Sequence, residues 1–186
     1  MAIRNILLDS DETLRKKSKL IERLTPAMLT LLDDMVETLE SADAVGLAAP
    51  QVGILRRAAV VRLPDEDILY EMINPEIIEA EGEQEKLEGC LSVNNLAGLV
   101  IRPERVKVRA MDRNFQTYEI EASGLLAIAL VHEIEHLDGV LFTDKAHKMM
   151  DTSSQEYKDR IALEERQEDA EKRAKRRAMR AKRRVG

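Results

Sequence analysis

Two histidines four residues apart, with a glutamate directly after the first, make His132-Glu133-Ile134-Glu135-His136 the densest chemistry in the chain. On a helix the i, i+4 spacing puts both imidazoles on one face, with Cβ atoms about 5–6 Å apart, so one metal ion can take both. Glu133 starts beside the first ligand and reaches a metal-held water as general base. Such a pattern also arises by chance on surface helices. Here "LLAIALV", residues 125–131, runs straight into it, and burying two histidines and a glutamate demands compensating partners. The pattern therefore reads as a metal site.

The site is one ligand short, because catalytic centres of this type use three protein ligands and leave a position for water or substrate. Glu156 follows His136 by 20 residues, a spacing reminiscent of metallopeptidases that recruit a glutamate from a later helix. Cys90, the only cysteine, stands upstream in "EGCLS" in what reads as a glycine-flanked turn. A single cysteine forms no internal disulfide, and an unpaired one is most often a small buried hydrophobe. His147, in the polar stretch "DKAHKMM", reads as a surface histidine.

The elements that must position these groups follow from patterning. Thr25 and Pro26 suit an N-cap and first helical position, and Met28, Leu31, Leu32, Met35, Val36 and Leu39 repeat as one apolar stripe, which predicts a helix. Short β-rich runs follow at 58–63, 105–112 and 117–122, the last two reading as a hairpin. A second helix is expected from Ser123 or Gly124 to Asp138-Gly139, apolar on nearly every side and therefore central to the core. The order predicts an α+β fold, with mixed or antiparallel strands packed around the buried helix that carries HEIEH.

After Thr152 the composition changes to helix formers. The pairs Glu168/Lys172, Asp169/Arg173 and Glu171/Lys175 have the acidic-first order that supports a solvated helix. Residues 171–186 hold nine Lys/Arg and one Glu, net +8, whereas the rest of the chain carries 20 basic and 34 acidic side chains, net −14. A domain at 1–150 with a basic helical tail at 151–186 is the expected organisation. The N-terminal residues are too broken by charge for a secretory signal, and the longest apolar run is too short to span a bilayer, so a soluble cytoplasmic protein without a membrane partner is expected.

Three motifs together carry a family likeness. "VGLAAPQVG" at 45–53, "EGCLS" at 88–92 and "HEIEHLDG" at 132–139 occur in the order found in peptide deformylases, and the chain resembles that family over roughly residues 1–150. The resemblance implies hydrolytic removal of the formyl group from the N-terminal formylmethionine of newly made peptides. It makes Cys90, His132 and His136 the ligands of one divalent ion, ferrous iron with zinc as the alternative, and gives Glu133 the proton. Gln51 and the Leu91 N–H are similar to the family's oxyanion donors, and Gly46 matches the backbone that pairs with the substrate peptide. Ala44 stands where a glycine usually opens the first motif, and Glu135 where an aspartate usually precedes the final histidine.

Beside that likeness, simpler readings remain. "VGLAAPQVG" alone is a tight loop of small packing residues. Leu125, Ile128 and Ala129 either line a methionine-accepting pocket or simply pack. Arg102 either touches the substrate backbone or is a charge at a strand edge. The basic tail either binds ribosomal RNA through phosphate contacts or pairs with the acidic body. Two other functions compete: a metallopeptidase using Glu156, and an RNA-binding protein whose metal is structural.

Overall fold

A computed structural model describes residues 2–64 and 68–185, without the side chains of 168, 169, 171, 172 and 175–185. The three tail pairs expected from the sequence thus lie outside the described residues. Within the described residues α1 spans Pro26–Ser41, α2 Gly124–Leu137 and α3 Gln155–Val185. The strands are β1 Gly46–Ala48, β2 Ala58–Arg62, β3 Leu69–Glu81, β4 Gln84–Cys90, β5 Val93–Arg102, β6 Arg105–Met111, β7 Thr117–Ser123 and β8 Lys148–Asp151.

The start of α1 is as expected, with Pro26 in its first turn and the Thr25 hydroxyl accepting from the Met28 amide. Its stripe buries Leu31, Leu32, Met35 and Leu39, with Met28 and Val36 half-buried at the margins. Asp34 and Thr38 are buried too, because they accept hydrogen bonds from the first residues: the Ala2 amide and Arg4 guanidinium go to Asp34, the Arg4 amide to Thr38.

Five strands form one antiparallel sheet in the order β1-β2-β3-β6-β7, and three form a second in the order β4-β5-β8. Helices α1 and α2 cover opposite faces of the first sheet. Ala58 and Val60 pack with α1, while Ala59 and Val61 pack with α2. A strand buried on both faces has no polar side to show, which is why residues 58–61, "AAVV", form a continuous apolar run. The hairpin β6–β7 also forms as expected, with Val108 opposite Ile120, both buried.

Five strands were not anticipated. Strand β3 was hidden by its irregular register with β6, which shifts between Ile73 and Glu76 and again between Ile77 and Glu79. Each bulge resets the two-residue alternation on which sequence reading depends. The β4–β5 pair has a similar shift between Glu88 and Cys90. Consequently Cys90 ends a strand, and the turn expected around it begins only at Leu91. The expected boundary at 150/151 falls inside β8.

Helix α2 is buried from Leu126 through Leu137, apart from His132 and Glu135, which are partly open. Helix α3 starts against the open edge of β4: Glu164 accepts from the Leu87 amide at 3.2 Å, and Arg160 bridges Glu85 and Glu164. No described helix is long and apolar enough to cross a membrane.

Candidate metal centre

Helix α2 and the end of β4 bring the three expected ligands together. The ligand atoms of Cys90, His132 and His136 all lie within 4.8 Å of one another, and Cys90 Sγ is 3.3 Å from His136 Nε2. Bonds of about 2.3 Å to sulfur and about 2.0–2.1 Å to nitrogen in a tetrahedron separate ligand atoms by roughly 3.5 Å. The donor set fits a divalent ion in spacing and type, one thiolate and two imidazoles suiting the softer divalent metals.

Each ligand is held by its own neighbours. Glu88 accepts from His132 Nδ1 at 2.9 Å, which aims Nε2 at the site, and the Phe142 ring stacks on the imidazole with centroids 6.1 Å apart. Arg102 Nε and Nη2 grip Glu88 at 2.6 and 2.9 Å, while Nη1 reaches Glu135 at 2.6 Å. Arg102 is only 3% exposed. It is therefore neither a strand-edge charge nor free to meet a substrate; its guanidinium is committed to two carboxylates.

The two imidazoles are shifted in opposite directions. Burial opposes a charged His132, yet hydrogen bonds to Cys90 and Glu88 and the nearby Glu133 carboxylate outweigh it and push its pKa to about 10. His136 goes the other way: burial, then the proximity of His132 and Arg102, holds it well below its ordinary value.

Glu133 lies within this pocket with Oε2 buried and lacking a hydrogen-bond partner among the described residues. Burial raises its pKa to about 7 against the opposing pull of His132. Gly46 makes room for it, since a Cβ there would collide with the Glu133 carboxylate. The glycine expected to admit another backbone thus admits, first, a side chain of its own chain.

Gln51 is 1% exposed and fixed at both ends of its amide. Oε1 accepts from the Ala48 amide at 2.8 Å, while Nε2 points to Ser92 Oγ at 3.2 Å and Cys90 Sγ at 3.5 Å. Leu91 follows the cysteine in the turn to β5. Leu125 is 49% exposed, Ile128 is buried one turn before His132, and Ala129 is absorbed in the α2 core.

Glu156 is not part of the centre. Its carboxylate pairs with Lys148 and is more than half exposed, so the alternative third ligand fails on position. His147 is exposed and pairs with Glu85, as a surface histidine should. Sequence reading missed the roles of Glu88, Ser92 and Phe142. Only Glu88 left a local signal, two residues before Cys90 on the same strand and hence nominally on the same face.

The comparisons agree with this geometry. The family profile described as "Polypeptide deformylase" matches residues 3–152. The peptide deformylase of Acetivibrio thermocellus is 52% identical over 156 residues, covering 84% of this chain and 91% of that protein. A crystal structure of a peptide deformylase from Legionella pneumophila has a TM-score of 0.75 and 45% identity over 77% of this chain and 86% of that one. The Thermotoga maritima peptide deformylase structure gives 0.76 with 33% identity, covering 80% of this chain and 100% of that one.

Proposed function

The chain belongs to the peptide deformylase family, and from that premise we propose which of its residues carry the family's reaction, hydrolysis of the N-formyl group of formylmethionyl peptides with release of formate. Cys90, His132 and His136 hold one divalent ion, and Glu133 handles the proton. The observation that carries this reading is the convergence of three ligand atoms within 4.8 Å of one another beside a buried glutamate whose Oε2 has no hydrogen-bond partner among the described residues.

A bound divalent ion supplies an acidified water and positive charge next to the scissile carbonyl. Glu133 takes the proton as the water oxygen adds to the formyl carbon, and returns it to nitrogen as the C–N bond breaks. Formate and a free α-amine leave. Gln51 Nε2 and the Leu91 N–H donate to the oxygen that gains negative charge. The edge of β1 not paired to β2 accepts the peptide backbone as an added strand at Gly46, and Leu125, Ile128 and Ala129 border the methionine side chain. Arg102 acts through Glu88 and His132, as a positioning residue.

Ferrous iron is the proposed ion, with zinc as the alternative that the same ligands accept. Residues 1–150 form the catalytic domain and 151–186 a basic appendage that meets the ribosome through its RNA, in the cytoplasm where formylated chains emerge. The decisive experiment measures formate release from formyl-Met-Ala-Ser by anaerobically iron-loaded protein, with metal content determined on the same sample. Iron-loaded protein that releases no formate refutes the assignment.

A further inference from the structure

The segment before α1 carries none of the proposed ligands or reacting groups, yet it touches all three motif-bearing regions. The Leu7 amide donates to the Gln51 carbonyl at 2.8 Å, the Asp9 amide to the Ser92 carbonyl at 2.7 Å, and the Ser18 amide to the Leu137 carbonyl at 2.8 Å. Each acceptor belongs to, or directly follows, a residue of the centre. Gln51 and Ser92 bond to each other and to Cys90 Sγ, and Leu137 follows His136. Gly139 lets the segment pass: at φ +76° a Cβ there would stand 2.5 Å from the Arg15 carbonyl oxygen.

We infer that residues 7–18 are a strap that sets the relative positions of the metal ligands, joining the Gln51 turn, the Cys90 turn and the end of α2 by backbone hydrogen bonds. The two ligand-bearing elements belong to different structural units, since Cys90 ends a strand of the small sheet while both histidines ride on α2 against the large one. Within each unit, local packing fixes its own ligand. Between them a thiolate–imidazole distance must be held within a few tenths of an ångström for a metal to bind well. The strap is a continuous piece of chain fastened to both. It acts through carbonyls that leave the reacting side chains free, so it is a positioning device. The inference rests on the metal-site reading above, but not on the identity of the reaction.

Linkage supplies a test without mutation: if the strap holds the ligands for the metal, the metal must hold the strap. Hydrogen exchange is measured on the full chain loaded with zinc and after chelation. Removing zinc should speed exchange at the Leu7, Asp9 and Ser18 amides by about tenfold more than at Val108 and Ile120 in the β6–β7 hairpin, which packs on α2 but takes no part in the strap. Equal acceleration at both sets, or none, overturns the inference. A second arm replaces one donor at a time. Leu7→Pro and Asp9→Pro each delete an amide, whereas Asp9→Asn changes the side chain and keeps it. The proline variants should lose zinc to a chelator about tenfold faster and, loaded with cobalt, show a weakened thiolate-to-metal absorption band, while Asp9→Asn matches the parent. Thr25→Ala, which weakens the cap of α1, serves as a stability control and should keep both properties. If Asp9→Pro and Thr25→Ala lose metal alike at equal loss of stability, the segment is merely structural. Should the proline variants not fold, the exchange comparison decides alone. Stoichiometric zinc uptake is checked first; its absence removes the metal centre and the strap together, whereas missing formate release with intact uptake refutes only the reaction.

Discussion

At the scale of single residues the centre divides into groups that touch metal or substrate and groups that aim them. Glu133→Gln keeps the volume and removes the base, so formate release should fall by about 10²–10⁴-fold while metal content stays stoichiometric; equal activity would assign the proton to another group. Cys90→Ala should lose the metal and Glu156→Ala retain it, as elemental analysis after gel filtration will show, because only the first side chain stands among the ligand atoms. Arg102→Ala leaves the buried Glu88 carboxylate without its guanidinium, with His132 Nδ1 as its remaining side-chain partner. That should cost about 3–5 kcal/mol in urea unfolding and weaken metal binding through the loss of orientation at His132. The histidine pair and Glu133 were legible in the sequence because helical spacing is local. The Glu88–Arg102–Glu135 cluster was not, since its partners lie 14 and 33 residues apart on different elements and charge alone does not specify pairing across such separations.

Among elements, legibility followed regularity. Helices α1 and α2 and the β6–β7 hairpin keep an unbroken period and were readable; β3, β4 and β5 are broken by register shifts and were not. Regular elements also carry the stability. Leu130 is fully buried at the centre of α2 against the large sheet, so Leu130→Ala should cost about 2–5 kcal/mol with formate release per folded molecule unchanged. Helix α1 offers a pH-dependent contact. Burial raises the pKa of Asp34, but the Ala2 amide and Arg4 more than offset it and hold the carboxyl below its ordinary range. Its contribution is fully present above the unfolded carboxylate value of about 4 and vanishes as pH falls through the lower folded value. The stability gap between the parent and Asp34→Asn, read by urea unfolding, should be constant from pH 7 to about 5 and close towards pH 3. A gap that widens in acid would contradict the assignment.

For the whole molecule the dominant feature is charge asymmetry, a net −14 over the first 170 residues against +8 in the last 16. Helix α3, at 31 residues, is about 46 Å long. Its described side-chain contacts with the small sheet, through Glu156, Arg160 and Glu164, lie in its first third. Deleting residues 171–186 should weaken ribosome co-sedimentation, with a loss that shrinks as salt rises because phosphate contacts are themselves salt-sensitive, and leave hydrolysis of a short formylated peptide intact. Unchanged co-sedimentation at low salt would return the tail to the role of a solubilising helix.

One strand bears on how copies of the protein meet. Among the described residues β1 pairs on one side only, with β2, and an unpaired edge is normally an invitation for identical copies to stack into fibres. Here the unpaired edge is three residues long, with Leu47 and Ala48 buried and Gly46 half-buried, and is shut at once by the one-turn helix Ala49–Val52 with its proline. A passing extended chain can dock for the length of a few amino acids, but no copy can zip along it.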